Sequence, residues 1–185
     1  MEMAAELIFN KNWTLFLDRD GVINKKIEND YVKKWDEFEF LPGVFDALKK
    51  FNSIFGTTII VTNQQGIGRG AFTERDLAAT HERMMHKIRK AGGRIDRIYF
   101  CPALASSNDP DRKPGTGMAF RAQKDFPGIE FKLSLIAGDS ISDMEFGRSL
   151  GMATVYIKDK LPSSKNEMQL IDHHFHSLEE FAANC

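Results

Sequence analysis

An apolar run that stops on two carboxylates constrains this chain more than any other feature. Residues 13–21 read Trp-Thr-Leu-Phe-Leu-Asp-Arg-Asp-Gly. Strand-forming residues that end this abruptly predict a buried strand delivering Asp18 and Asp20 to its carboxyl end, which is where open α/β sheets do chemistry. Strand side chains alternate in direction, so the two aspartates converge only if the chain turns just after Asp18, and Gly21 permits that turn. An Asp-x-Asp-Gly after a strand is also what an ordinary turn looks like. Three further segments weigh against that plainer reading: Thr62-Asn63, Arg112-Lys113-Pro114 and Gly138-Asp139 to Asp143.

Their placement follows from the alternation of strands and helices. Pro42-Gly43 opens a segment with Val44, Phe45, Leu48 and Phe51 at helical spacing, ending near Gly56. Thr57 to Val61 is β-branched throughout, as in a parallel strand covered on both faces, and leads into a glycine-containing loop from Thr62 to Gly70. Thr73 and Asp76 form a capping box for a helix that stops at Gly92-Gly93. Ile95 to Phe100 predicts a strand and Cys101 to Gly117 a long loop. A helix (Met118 to Phe126), a strand (Leu133 to Ala137), a helix (Ile141 to Leu150) and a strand (Ala153 to Ile157) follow. Asp172 to Phe181 predicts an edge strand and a terminal helix capped by Ser177. This order implies an α/β, Rossmann-like, three-layer fold with a mainly parallel central sheet and helices on both faces. At 185 residues the whole chain, 1–185, fits one domain.

Charge narrows the partners. With 25 basic and 26 acidic residues the formal net charge is -1, which argues against a nucleic-acid footprint or a polybasic membrane anchor. Met1 to Asn12 has no apolar core of signal-peptide length, and no run approaches a membrane span. Two distant cysteines, Cys101 and Cys185, point to free thiols and a cytoplasmic protein.

At the carboxyl rim of such a sheet Asp18, Asp20, Thr62, Asn63, Asp139 and Asp143 gather, with Lys113 arriving on the long loop. Converging carboxylates without a His or Cys cluster favour a hard cation such as Mg²⁺ over zinc, and a magnesium site with a lysine and a hydroxyl suits a phosphoryl group.

Taken together, Asp18-Arg19-Asp20-Gly21-Val22-Ile23-Asn24, Thr62-Asn63, Arg112-Lys113-Pro114 and Gly138-Asp139-Ser140-Ile141-Ser142-Asp143 resemble the four motifs of the haloacid dehalogenase superfamily of phosphohydrolases. They are most similar to the branch containing heptose bisphosphate 7-phosphatases and histidinol-phosphatases. The resemblance implies a Mg²⁺-dependent phosphatase without a cap domain, in which Asp18 is the nucleophile, forming an aspartyl-phosphate, and Asp20 the general acid and base. It implies that Asp18, Asp139 and the Asp20 carbonyl hold the metal, and that Thr62, Asn63 and Lys113 hold the phosphoryl oxygens. Asp143 either supports the metal or Lys113, or suits the first turn of its helix. Recognition of the leaving group falls to Glu28, Asn29, Asp30 and Tyr31, to Gln64 and Gln65, and to Arg112. The expected substrate is a small phosphorylated metabolite, a heptose bisphosphate or histidinol phosphate, handled by a monomer.

The chain departs from that branch before Arg112. Where the branch carries a zinc site of the form Cys-x-His and Cys-x-Cys, this sequence has Cys101-Pro102-Ala103 and Asp109-Pro110-Asp111. Tetrahedral structural zinc needs four good N or S donors, so no structural zinc is expected. His173, His174 and His176 read as surface histidines, His81 and His86 as helix-surface residues, and Met84-Met85 as core filler. A non-catalytic phospho-ligand binder or a receiver-like domain would also place aspartates at a sheet rim. Neither needs Asp20 for turnover.

Overall fold

The computed structural model describes residues 9–185; residues 1–8, part of the stretch read above as lacking a signal core, lie outside the described residues. Strands β1 (Thr14–Leu17), β2 (Thr57–Asn63), β3 (Arg97–Cys101), β4 (Ser134–Gly138), β5 (Ala153–Ile157) and β6 (His173–Phe175) form one sheet in the order β3-β2-β1-β4-β5-β6. All five pairings are parallel. The α/β expectation is met.

The chain first builds outward from β1 through β2 to β3, then crosses back to lay β4 on the other side of β1. Between β1 and β4 the winding reverses, and at such a switch point the connecting loops diverge and leave a crevice beyond the carboxyl ends. Asp18 leaves β1 and Asp139 leaves β4, so both enter this crevice, tied by the Asp18 N–H donating to Ala137 O at 2.9 Å.

Alternation along the strands splits the core in two. Leu15, Leu17, Ile60, Leu135 and Ala137 face one side, where they pack against α1 (Val44–Ile54) and α7 (Leu178–Ala183) through Leu48, Phe51 and Phe181. Phe16, Ile59, Val61 and Ile136 face the other, against Met118, Ala119 and Ala122 of α4 (Gly117–Asp125) and Phe146 of α5 (Ile141–Leu150). Each such side chain taken fully out of water contributes roughly 1.5–3 kcal/mol. All four residues of β1 are buried, the condition that makes its sequence read as an unbroken apolar run.

Local signals mostly set the boundaries. Thr73 and Asp76 make the expected capping box at the start of α3 (Glu74–Lys90), and the Ser177 hydroxyl accepts from the Glu180 N–H. Several boundaries differ from expectation: β3, β4 and α4 are displaced by one or two residues, and three differences are larger. β2 continues through Thr62 to Asn63 instead of ending at Val61, because it pairs with β3 as far as Cys101. Gln65–Gly68 winds into a helical turn, α2, where a loop was expected, and Lys165–Met168 forms a further turn, α6, that the sequence reading omitted. Among the described residues no helix is long and apolar enough to cross a membrane.

Candidate active site

Immediately after Asp18 the backbone N–H groups of Val22, Ile23 and Asn24 all donate to the Arg19 carbonyl, at 2.8 to 3.3 Å, making the tight turn that sends Asp18 and Asp20 to different places. Gly21 sits inside that turn at φ +90, with Asp139 Oδ2 only 2.5 Å from where a Cβ would lie. Both the backbone angle and the space exclude a side chain.

Asp18, Asp139 and Asp143 bring one carboxylate oxygen each to within 4.8 Å of one another. Like charges this close, out of water, resist ionisation together. Burial pushes the Asp18 carboxyl up to about 7; Lys113 opposes the shift, and Asp143, Asp139 and Asp20 add to it. Asp139 is raised by burial against the pull of Lys26. Its Oδ1 is buried without a hydrogen-bond partner, although Lys26 Nζ reaches Oδ2 at 2.9 Å. Converging oxygens, excess negative charge and an orphaned carboxylate oxygen fit a hard divalent cation.

Lys113 is the counterweight. Its ammonium donates to Val61 O at 2.7 Å, Asp18 Oδ1 at 2.9 Å and Asp143 Oδ1 at 2.5 Å, which uses all three of its protons. Burial alone would lower the lysine's proton affinity, but Asp143 and then Asp18 override it and hold the cation charged. The Asn63 side chain fixes it from behind, accepting from Lys113 N and donating to Lys113 O, both at 3.0 Å. Asp143 combines two of the roles foreseen for it. Oδ2 accepts from the Ser140 N–H and hydroxyl at the start of α5, while Oδ1 grips Lys113.

Asp20 stands apart from the three clustered carboxylates. It accepts from Arg19 Nη2 on both oxygens at 2.8 Å, from Asn24 Nδ2 at 2.9 Å and from Gln64 Nε2 at 2.9 Å. Burial would raise its pKa, but the Arg19 charge and the hydrogen bonds from Arg19, Asn24 and Gln64 hold it below the usual carboxylate range.

A cleft of about 230 Å³ opens on these groups, lined by Asp18, Asp20, Thr62, Asn63, Gln64, Lys113 and Asp139, with Asp30, Tyr31, Gln65 and Arg112 at its outer part. Glu28 and Asn29, expected to help recognise the leaving group, do not line it. Asn29 adopts φ 58 in an exposed turn, which carries both residues outward. Gln64 lines the cleft but is buried, its amide already committed to Asp20 and, at 2.9 Å, to the Thr62 hydroxyl. Arg112 spends one donor on Ala103 O at 3.0 Å and so braces its own loop.

Lys26, Ile27, Ser140 and Ser142 also line the cleft and were missed. For Ser140 and Ser142 the signal was present, since they flank the turn after Asp139; Lys26, in an irregular stretch, had none. His81 was misplaced. Expected on a helix surface, it is buried, because it follows Leu77 by four residues and precedes Met84 and Ile88 on the inward stripe of α3. His86, one turn on, is exposed.

A model of the polynucleotide kinase 3 phosphatase family matches residues 14–184. The chain belongs to this family of phosphatases, within the haloacid dehalogenase superfamily. This phosphatase is 36% identical over 170 residues to a D-glycero-alpha-D-manno-heptose-1,7-bisphosphate 7-phosphatase of Mycobacterium bovis, covering 92% of this chain and 90% of the relative. A D-glycero-beta-D-manno-heptose-1,7-bisphosphate 7-phosphatase of Rhodopseudomonas palustris is 35% identical over 144 residues, 74% of this chain and 78% of the relative. Among solved structures, the D,D-heptose 1,7-bisphosphate phosphatase of B. bronchiseptica, complexed with magnesium and phosphate, superposes with a TM-score of 0.79 at 26% identity, over 92% of this chain and 96% of that one. The enzyme class inferred from the motifs is therefore correct.

Proposed function

We propose that this phosphatase removes the 7-phosphate of a heptose 1,7-bisphosphate, by way of an aspartyl-phosphate on Asp18. The observation that carries the reading is the Asp18 carboxylate held 2.9 Å from the Lys113 ammonium at the floor of the cleft, with Asp20 clamped separately beside it. The heptose assignment rests on the names of relatives that match most of the chain.

Asp18 attacks phosphorus; the new O–P bond replaces the bond to the sugar oxygen, which leaves as an alkoxide and takes a proton from Asp20. Four donated hydrogen bonds keep Asp20 ionised in the free enzyme, so it takes up a proton from solvent when the anionic phosphoryl group arrives and makes a second negative charge costly. Water then attacks the aspartyl-phosphate, Asp20 accepts the water's proton, and inorganic phosphate leaves with Asp18 restored. Proton transfer of this kind is typically worth ~10²–10⁴-fold. Thr62, the Asn63 N–H and Lys113 hold the phosphoryl oxygens where transition-state charge gathers. A Mg²⁺ ion held by Asp18, Asp139 and the Asp20 carbonyl, with Asp143 behind it, would supply charge neutralisation between two anions. A receiver or a silent binder has no use for the donor cradle around Asp20.

The outer cleft residues Asp30, Tyr31, Gln65 and Arg112 are those set to meet the sugar. Phosphate release, with Mg²⁺, from the alpha and beta heptose bisphosphates, histidinol phosphate and a 3′-phosphorylated oligonucleotide tests the assignment. Fastest turnover on a heptose bisphosphate is expected; a preference for either of the other two would overturn it.

The same reading includes no structural zinc, and a monomer in the cytoplasm. Cys101 is a buried thiol 3.9 Å from Asp109 Oδ1, and its loop is braced instead by Arg112 on Ala103 O and by the Asp111 N–H on Asp109 Oδ1 at 2.8 Å. Elemental analysis of the purified protein is expected to return no stoichiometric zinc, and chelation should leave the loop folded. One zinc per chain would contradict it.

A further inference from the structure

Arg19, the residue between the two aspartates of its motif in sequence, is the least expected occupant of this core: a guanidinium with almost no exposed surface. Its Nη2 serves both oxygens of Asp20, its Nε has no partner, and its Nη1 lies 3.0 Å from Nε2 of His81, sixty-two residues away on α3. The Phe38 ring, 6.0 Å from the guanidinium carbon, and the Phe100 ring, 6.5 Å from the imidazole centroid, close the surroundings. Because arginine has donors and no acceptor, the contact forms only when His81 Nε2 offers a lone pair, with the ring proton on Nδ1.

Building on the proposed mechanism, we infer that His81 is a positioning residue for proton transfer: it anchors the Arg19 guanidinium, which in turn fixes the Asp20 carboxylate. A planar fork held at one end presents the other in a fixed direction, so a neutral acceptor on α3 sets the angle at which Asp20 meets the leaving oxygen. Burial, reinforced by the Arg19 charge, lowers the imidazole to about 3, against a smaller opposing pull from Asp20, so the ring stays neutral wherever the enzyme works. A protonated ring would turn a donor toward a donor and set two cations side by side. Among the described residues the His81 ring has one hydrogen-bond partner, Arg19, and its positioning effect passes through that contact.

The test compares two esters. An alkyl phosphate needs a proton on its departing oxygen, whereas p-nitrophenyl phosphate leaves unaided. In His81→Leu, kcat on the alkyl ester is expected to fall by ~10–100-fold, a fraction of the whole general-acid contribution. Single-turnover release of nitrophenolate, which precedes the step where Asp20 acts as a base, should fall far less, with KM for both little changed. His81→Gln, whose Oε1 can stand where Nε2 stood, should recover most of the alkyl activity. Equal losses in single-turnover release of the two alcohols, or no recovery by Gln, would overturn the inference, because a general loss of packing moves both alike. A crystal structure of the Leu variant decides the matter independently of activity: Arg19 should be displaced from Asp20, and an unmoved guanidinium would overturn the inference. If the wild-type enzyme released phosphate from neither ester, the hydrolytic mechanism would fall, while the position of Arg19 in that variant would still answer this question.

Discussion

Asp18→Asn is expected to abolish phosphate release while leaving a folded protein. The amide keeps the size of the carboxylate and an oxygen toward Lys113, but it cannot act as the anionic nucleophile that forms the bond to phosphorus. A loss of at least about a thousandfold, or roughly 4 kcal/mol of barrier, is expected. The fold has reason to tolerate the change. Asp18 is crowded by Asp143, Asp139 and Asp20, and burial already works against its charge, so removing that charge relieves repulsion in the metal-free protein. Circular dichroism and a melting temperature no lower than wild type, measured beside the phosphate assay, would separate chemistry from folding. Turnover above about one-tenth of wild type would remove Asp18 as the nucleophile, since one decade is only about 1.4 kcal/mol.

Lys113→Met should damage both activity and stability, and the second effect is the more diagnostic. The stem survives, but Asp143, with no exposed surface, and Asp18 lose the cation between them. Removing one partner of a buried ion pair typically costs ~3–5 kcal/mol, because the remaining charge is stranded away from water. Loss of the positive charge beside the reacting carboxylate should lower kcat by a further ~10²–10³-fold. The pH dependence has a definite sign. Without Lys113 the Asp18 carboxyl, already raised by burial and now lacking the charge that opposed the shift, binds its proton still more readily in the folded chain than in the unfolded one, so the stability deficit should be largest near neutrality and shrink as the pH falls. Denaturant melts at several pH values would show it. A deficit that stays constant or grows toward acid would mean that Lys113 does not compensate these carboxylates.

Most of the sheet could be read in advance because strands covered on both faces leave no room for charged residues until they end, and admit polar ones mainly as hydrogen-bonded threonines such as Thr154. Thr14–Leu17 and Ala153–Ile157 are unbroken for that reason, and the polar residues that follow β1, β2 and β4 mark the rim. Caps made by side chains three residues apart, as at Thr73 and Ser177, were equally visible. The contacts that organise the site were not. The Lys26 pairing with Asp139 spans 113 residues, and the Asn63 clamp on Lys113 spans 50, distances over which local pattern carries no information. His81 differs, since its stripe was legible. A histidine on that stripe was read by residue type when its position should have decided.

The double hydrogen bond between Asn63 and the Lys113 backbone fastens one end of residues 103–113 to β2, and the Arg112 side chain just upstream ties the other end, Ala103, back to it. What lies between can be exchanged without moving the ammonium. None of residues 104–111 lines the cleft, so the reaction is insulated from that stretch, and foreign segments grafted between those fasteners should leave phosphate release intact.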